Sequence, residues 1–288
     1  MRILDSIKAI VSSSPIKEDK SFVEKSSVDE KVAKSKRVIA EAYRRFPNDK
    51  LALAWTGGKD STILLWMARE LAKEKGLPLP HIMFINEGYV FEEVWEFADK
   101  LSSDWKFTYH IAQNDDVLKQ VKKVGDPVKV SKLNKRNKEA LKALDFKAKE
   151  FPFEPESYVG NHLMKTVAMN VHLEKEGIRA LITGIRWDEQ EARANETYFS
   201  PRKNPDHFRV HPILHFKEKD VWDATHKNKV PYLKLYEEGY RSLGAKGTTA
   251  KTSDKPAWEQ DLENTAEREG RRQDKEQIMK RLRDLGYM

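Results

Sequence analysis

The sequence predicts an α/β fold: a twisted, mostly parallel sheet with helices on both faces, followed by a C-terminal loop and a helical tail. Three observations carry that expectation. Short apolar runs bounded by turn residues alternate with longer amphipathic stretches, the pattern of successive strand–helix units. One run, Leu51–Trp55, breaks abruptly into Thr56-Gly57-Gly58-Lys59-Asp60-Ser61 and then into helical sequence. The alternation also stops at a lysine-rich stretch and resumes beyond it, so that stretch reads as an insertion.

Taken in order, residues 1–25 read as an N-terminal arm. Residues 26–47 predict a helix, with Ser27 as N-cap and Val32, Ile39, Ala42, Tyr43 and Phe46 near one face. Residues 51–55 predict a buried strand, 61–75 a helix closed by Gly76, 81–86 a second strand, 91–101 a helix and 107–111 a third strand. The insertion spans about 113–158, and its segment 119–149 is rich in lysine and partly helical. A helix over 161–175, strands over 180–183 and 209–212, and a helix over 217–228 restore the alternation. Glu218 and Asp220 suit the first turn of that last helix. The main domain runs from 26 to 238, and 239–288 form the C-terminal loop and tail helix.

Composition bounds the chemistry. Hydrophobic residues make up 39% and charged residues 34% of 288 residues, enough for a real core under a charged surface. The net charge of +7 suits anionic partners, although a solvated lysine surface gives the same balance. There is no cysteine, which excludes disulfides, thiolate metal sites and a thiol nucleophile from these residues. No apolar run approaches the ~20 residues of a membrane span, and no clean signal peptide precedes the fold. The expected location is therefore the cytoplasm, with no membrane partner.

At the corner after Trp55, a strand turns through two glycines into a helix. Such a turn aims free backbone N–H groups and the positive end of the helix dipole at one point, an anion site. Gly57 and Gly58 permit close approach, Lys59 adds a charge, and Thr56 and Ser61 add hydroxyls. Asp60 suits a capping role or a Mg²⁺ ligand. The spacing is shorter than that of a Walker A loop. TGGKDS resembles instead the SGGKDS pyrophosphate loop of the N-type ATP pyrophosphatases, whose fold is adenine nucleotide alpha-hydrolase-like. The resemblance implies that the loop cradles the β- and γ-phosphates of ATP while chemistry occurs at the α-phosphorus.

Further segments resemble the sulfate-activation branch of that superfamily, which holds the small subunit of bacterial ATP sulfurylase and the phosphoadenylyl-sulfate reductases. Gly184-Ile-Arg186-Trp-Asp188-Glu189, with Arg193 and Ala194, resembles its GxRxDE…RA segment. Tyr240-Arg241-Ser-Leu-Gly resembles its [FY]R[TS]LG loop, Ala266-Glu-Arg268-Glu-Gly-Arg271 its [SA]ER-x-GR segment, and Gly160-Asn-His162-Leu-Met-Lys165-Thr its MKT-containing helix. The ending Leu285-Gly-Tyr-Met288 resembles the small subunit's glycine-aromatic terminus. The resemblance implies Lys59, Arg186 and Arg193 as catalytic groups and Thr56–Ser61, Gly184, Arg268 and Arg271 around the phosphates. It implies Phe84, Ile85 and Asn86 around the adenine, and His162, Lys165, Asp188, Glu189 and Arg241 on the substrate side.

The branch divides by chemistry. A reductase attacks the sulfate sulfur with a cysteine thiolate, and this sequence offers none. Adenylyl transfer needs no protein nucleophile, only positioned anions and stabilised charge. The expected reaction is ATP plus sulfate to adenylyl sulfate and pyrophosphate, with Mg²⁺. The alternatives are a reductase-family protein that binds adenylyl or phosphoadenylyl sulfate without its own cysteine, an enzyme that adenylates tRNA or another acceptor, and a binding module without turnover. RNA is disfavoured because segment 119–149 lacks interleaved aromatics, but it stays open. Asn86 stands where relatives often carry Asp, and Ala245 where they often carry Cys. The small subunit works with a separate GTPase, and no GTPase motif is present, so the resemblance implies either a separate GTPase subunit or removal of pyrophosphate; a homo-oligomer is the other partner option. His162, His207 and His211 lack convincing metal spacing and are expected to be satisfied or surface residues, with His162 the best substrate-side candidate. Trp55 is expected in the core.

Overall fold

The structure, a computed structural model, describes residues 16–267. A short helix α1 (Ser21–Lys25) leads into α2 (Val28–Arg45). Ser27 caps α2: its Oγ accepts from the Glu30 amide, and Glu30 reaches back to the Ser27 amide at 2.8 Å. Then follow β1 (Leu51–Trp55), α3 (Lys59–Lys75), β2 (His81–Ile85), α4 (Glu92–Trp105) and β3 (Tyr109–Ala112). The next segment holds α5 (Asp115–Leu118), β4 (Pro127–Lys129), α6 (Lys135–Ala143), β5 (Glu150–Pro152) and α7 (Tyr158–Asn161). A π-helical turn, His162–Val167, joins α7 to α8 (Ala168–Glu176). The fold closes with β6 (Ala180–Ile182), β7 (Phe199–Arg202), β8 (His207–Val210) and α9 (Glu218–Lys227).

The main sheet has the order β3-β2-β1-β6-β8-β7. All its pairings are parallel except β7 with β8 at the edge. β1 sits at its centre and is buried on both faces. Leu51, Leu53 and Trp55 join the core under α2, α3, α4 and α9, while Ala52 packs with Met83, Leu181, Met169 and Leu173 against α8. A run without polar alternation is what a strand covered on both faces requires.

Several boundaries differ from the sequence expectation. The second strand ends at Ile85, and Asn86 begins a turn in which its Oδ1 accepts from the Gly88 amide at 2.9 Å. The helix expected over 161–175 is interrupted by the π turn. The strand expected over 209–212 lies at 207–210, and Pro212 lacks the N–H a further ladder bond needs. β7 is polar at its end and was not expected. In the insertion, β4 and β5 pair antiparallel, and Val117, Val128, Leu141, Phe151 and Phe153 form a small core with Leu163 and Met164 of the π turn. That core anchors the lysine-rich surface to the helix that reaches the site.

Burial, with little compensation, holds four imidazoles neutral: His162, His207 and His211 are pushed down to about 4 and His215 to about 3, from an ordinary 6.5. The unfolded chain therefore binds more protons than the folded one between these values, so stability rises with pH across that window. The expected outcome is a thermal midpoint, followed by circular dichroism, that falls as pH drops from 6.5 towards 4. A flat midpoint across the window would contradict the buried neutral assignment.

Candidate functional site

The corner after β1 is rigid on its inner side. Trp55 is fully buried among Phe84, Phe97, Phe107 and Tyr109, and its Nε1 donates to Thr62 Oγ1 at 3.1 Å. It is a core residue. Gly57 has φ +75°, a left-handed conformation that disfavours any side chain. Gly58 is the N-cap of α3 and offers no side-chain acceptor, so the first amides of the helix face the cavity unspent. The Lys59 amide is the exception and donates to Tyr236 Oη at 3.0 Å. Ser61 Oγ accepts from the Thr56 amide at 3.3 Å and donates to the Gly58 carbonyl at 3.0 Å. Gly184 lies against this loop: a Cβ there would come within 3.0 Å of the Asp60 carbonyl group.

A cavity of about 240 Å³ opens over the C-terminal ends of β1, β2 and β6, the usual place for ligands in a parallel sheet. Of the expected residues, Thr56, Gly58, Lys59, Asp60, Ser61, Gly184, Ile85, Lys165, Glu189 and Arg193 line it. Phe84 and Ile85 border a smaller adjoining cavity of about 50 Å³, with Val90, Val94, Leu243 and Gly244. Gly57, Asn86, His162, Arg186, Asp188 and Arg241 are not among the lining residues of either cavity. Arg268 and Arg271 lie outside the described residues.

Behind the corner lies a buried charge network. Lys59 is ion-paired with Glu267 and has Asp60 at 3.4 Å and Glu218 at 3.7 Å. Arg186, with no exposed surface, forks between Asp60 and Glu267, and its Nε donates to Asp188 at 2.9 Å. Arg241 donates to Glu218 at 2.8 Å and to the Leu262 and Thr265 carbonyls, which pins the C-terminal segment next to the network. Burial opposes the charge of Lys59, but Asp60, Glu267 and Glu218 outweigh it and hold its pKa above the ordinary lysine value. Burial alone would raise Glu267; Arg186 and Lys59 hold it well below the usual carboxylate range. Burial pushes Asp188 and Glu218 up, against the pull of their cationic partners. Arg193 is ion-paired with Glu189, and Lys165 lies 3.0 Å from Glu87 and 3.3 Å from Glu156.

One placement corrects the sequence reading. His162 is neither satisfied nor on the surface: it is 5% exposed, and its Nδ1 has no partner among the described residues. Its side chain does not line the cavity. His211 agrees with the expectation of a partnered histidine: it is buried, with Nδ1 2.7 Å from Thr183 Oγ1 and Nε2 3.6 Å from Glu196. Asp60, expected to cap the helix or to hold Mg²⁺, faces Arg186 and Lys59. No group of three or more His, Asp or Glu side chains among the described residues is arranged to hold a metal ion, so the residues present do not make a Mg²⁺ cage. Sequence reasoning missed Glu267, Tyr236, Thr166 and Arg209. Glu267 and Thr166 sat inside quoted segments, beside Arg268 and Lys165, while Tyr236 and Arg209 gave no local signal.

Residues 50–251 match the phosphoadenosine phosphosulfate reductase domain. The chain is 26% identical over 227 residues to sulfate adenylyltransferase subunit 2 of Rhizobium meliloti, covering 71% of this chain and 66%, just under two thirds, of that relative. It is 26% identical over 277 residues to sulfate adenylyltransferase subunit 2 of a Sulfurovum species, covering 88% of this chain and 78% of that one. Among solved structures, Candida glabrata FMN adenylyltransferase superposes with a TM-score of 0.61 at 15% identity over 95% of this chain and 96% of its own. A Candida auris phosphoadenylyl-sulfate reductase gives 0.54 at 18% identity over 77% and 96%. These likenesses establish the fold.

Removing one member of a buried ion pair strands the other, at a cost of ~3–5 kcal/mol. Lys59→Met is therefore expected to destabilise the fold by about that amount in urea unfolding. Adding Glu267→Gln to the same chain should restore part of the loss, because the stranded carboxylate is gone. If the two substitutions add independently, to within ~0.5 kcal/mol, Glu267 is not held by Lys59.

Proposed function

The chain belongs to the phosphoadenosine phosphosulfate reductase domain family, and from that premise we propose that it is a nucleotidyltransferase of the sulfate adenylyltransferase type. The observation that carries this reading is Glu267. Its carboxylate bridges Lys59 and Arg186 at the glycine corner, as the oxygens of a phosphate group would. A site that holds an anion there, under a helix N-terminus, is suited to the pyrophosphate portion of ATP. The 288 residues contain no cysteine, so they supply no thiolate for reduction at sulfur.

In the proposed reaction a sulfate oxygen attacks the α-phosphorus. The bond from that phosphorus to the bridging oxygen breaks, and pyrophosphate leaves with the electron pair. Sulfate is already a dianion at neutral pH, so no base has to remove a proton. Lys59, Arg186 and the free amides of α3 neutralise the leaving group, which requires Glu267 to withdraw. Adenine takes the cavity beside Phe84 and Ile85, where Val90, Val94 and Leu243 supply apolar walls and Asn86 shapes the turn. Arg193 and Lys165 approach from the acceptor side, with Asp188, Glu189 and Arg241 orienting the arginines and the tail. Arg268 and Arg271 are proposed to close over the phosphates. Mg²⁺ would arrive on the phosphates and water rather than on a protein cage, and no step here depends on it.

Two relatives bear the words subunit 2 in their names, which supports a second subunit for this chain as well. Its proposed role is to offset the uphill formation of adenylyl sulfate, by GTP hydrolysis or an equivalent drive. No helix among the described residues is long and apolar enough to cross a membrane; a cytoplasmic location is part of the proposal.

Phosphorus NMR on the chain with ATP, Mg²⁺, sulfate and added pyrophosphatase tests the reaction. The expected outcome is sulfate-dependent adenylyl sulfate. Phosphate release from ATP with ADP as the product, or turnover indifferent to sulfate, would overturn it. A second outcome concerns Glu267. Removing a competitor for the phosphate seat should tighten ATP binding, so Glu267→Gln is expected to lower the calorimetric Kd about tenfold. Unchanged or weaker binding would contradict the seat assigned to Glu267.

A further inference from the structure

The cavity has a second polar wall on the opposite face of the sheet from α3. Ala54, Thr183 and Arg209 project from β1 and from the region of β6 and β8 towards α8, and Lys165, Thr166 and Met169 cover them. Arg209 is 3% exposed and borders the cavity. Two of its N–H groups donate to uncharged atoms, His207 Nε2 at 2.8 Å and Met169 Sδ at 3.0 Å. These contacts help fix the guanidinium plane, and the Glu196 carboxylate acts on its charge from nearby.

Thr166 is the independent sign of a ligand. It is 1% exposed and borders the cavity, yet its Oγ1 has no hydrogen-bond partner among the described residues. A buried hydroxyl left unpaired costs free energy unless something fills the position. The residue stands in the π-helical turn His162–Val167, a distortion that recurs where helices serve a site. Thr183 Oγ1 adds a second hydroxyl, held at 2.7 Å from His211 Nδ1. A held guanidinium and a free hydroxyl, with the Lys165 ammonium beside them already flanked by Glu87 and Glu156, make a seat for a tetrahedral oxyanion.

We propose that Arg209 and Thr166 form a second oxyanion seat, on the α8 face, separate from the phosphate corner at Lys59. The proposal rests on the adenylyltransferase reading for its context: the seat then holds the group opposite the pyrophosphate. The tetrahedral dianion has two sources, free sulfate as acceptor or a phosphate on the ribose of a nucleotide.

Calorimetry on the full chain separates them. α,β-Methylene-ATP is titrated first, into wild type, Arg209→Met and Thr166→Val; sulfate is then titrated into each analogue complex. In parallel, adenosine 3′,5′-bisphosphate is compared with adenosine 5′-monophosphate. Comparable analogue binding by all three proteins keeps the phosphate corner intact. Sulfate binding that weakens ~10-fold in Arg209→Met and ~3-fold or more in Thr166→Val supports the seat with free sulfate as its occupant. A wild-type preference for the bisphosphate that both substitutions erase supports the seat with a ribose phosphate as its occupant. If wild type binds sulfate and the bisphosphate no better than either variant does, the seat is overturned. Failure of wild type to bind the analogue counts against the ATP reading instead, and the bisphosphate arm still decides the seat.

Discussion

The structure depends on two deeply buried cations, Lys59 and Arg186, and on the carboxylate of Glu267 that bridges them. Charges buried in this way persist only when paired. Here three cations, Lys59, Arg186 and Arg241, face four carboxylates, Asp60, Asp188, Glu218 and Glu267. Burial and mutual repulsion raise Asp188 and Glu218, which shows where the excess negative charge is felt. A polyphosphate entering such a site meets an anion already in place. Exchange of one anion for another keeps the cations paired throughout, so the corner need not be rebuilt when ligand arrives. The exchange also ties occupancy of the corner to the position of the segment that carries Glu267, because Arg241 holds the preceding residues to Glu218.

The sheet supplies what the network needs. β1 is covered on both faces, so its C-terminal end is fixed from two sides, and the glycine turn starts from a rigid point. One face leads to α3 and the glycine corner. The other leads to the π turn and Arg209. The insertion packs its small core against that same π turn through Leu163 and Met164. The lysine-rich surface is thereby mechanically connected to the α8 side of the cavity rather than hanging from a loop.

Much of this was legible in the sequence, and the reason is local. TGGKDS declares its geometry through glycine dihedrals and a helix start, both properties of neighbouring residues. The strand–helix alternation likewise comes from short-range pattern, and Ser27 with Glu30 marked the start of α2. What stayed hidden arises from long-range pairing. Glu267 meets Lys59 across 208 positions, and Tyr236 Oη meets the Lys59 amide across 177. Arg209 reads as one more polar residue in a short strand, and only the sheet register shows which face it takes. The π turn was invisible because its residues keep helical composition while their hydrogen bonds slip by one. His162 misled for a similar reason: an apolar neighbourhood at a distance in sequence buried it.

The most direct measurement is a crystal structure of this chain with a non-hydrolysable ATP analogue. The account predicts the β- and γ-phosphates at the Gly57–Ser61 corner within hydrogen-bond reach of Lys59 and Arg186, with Glu267 withdrawn from both. Phosphates bound elsewhere while Glu267 still bridges the two cations would contradict it.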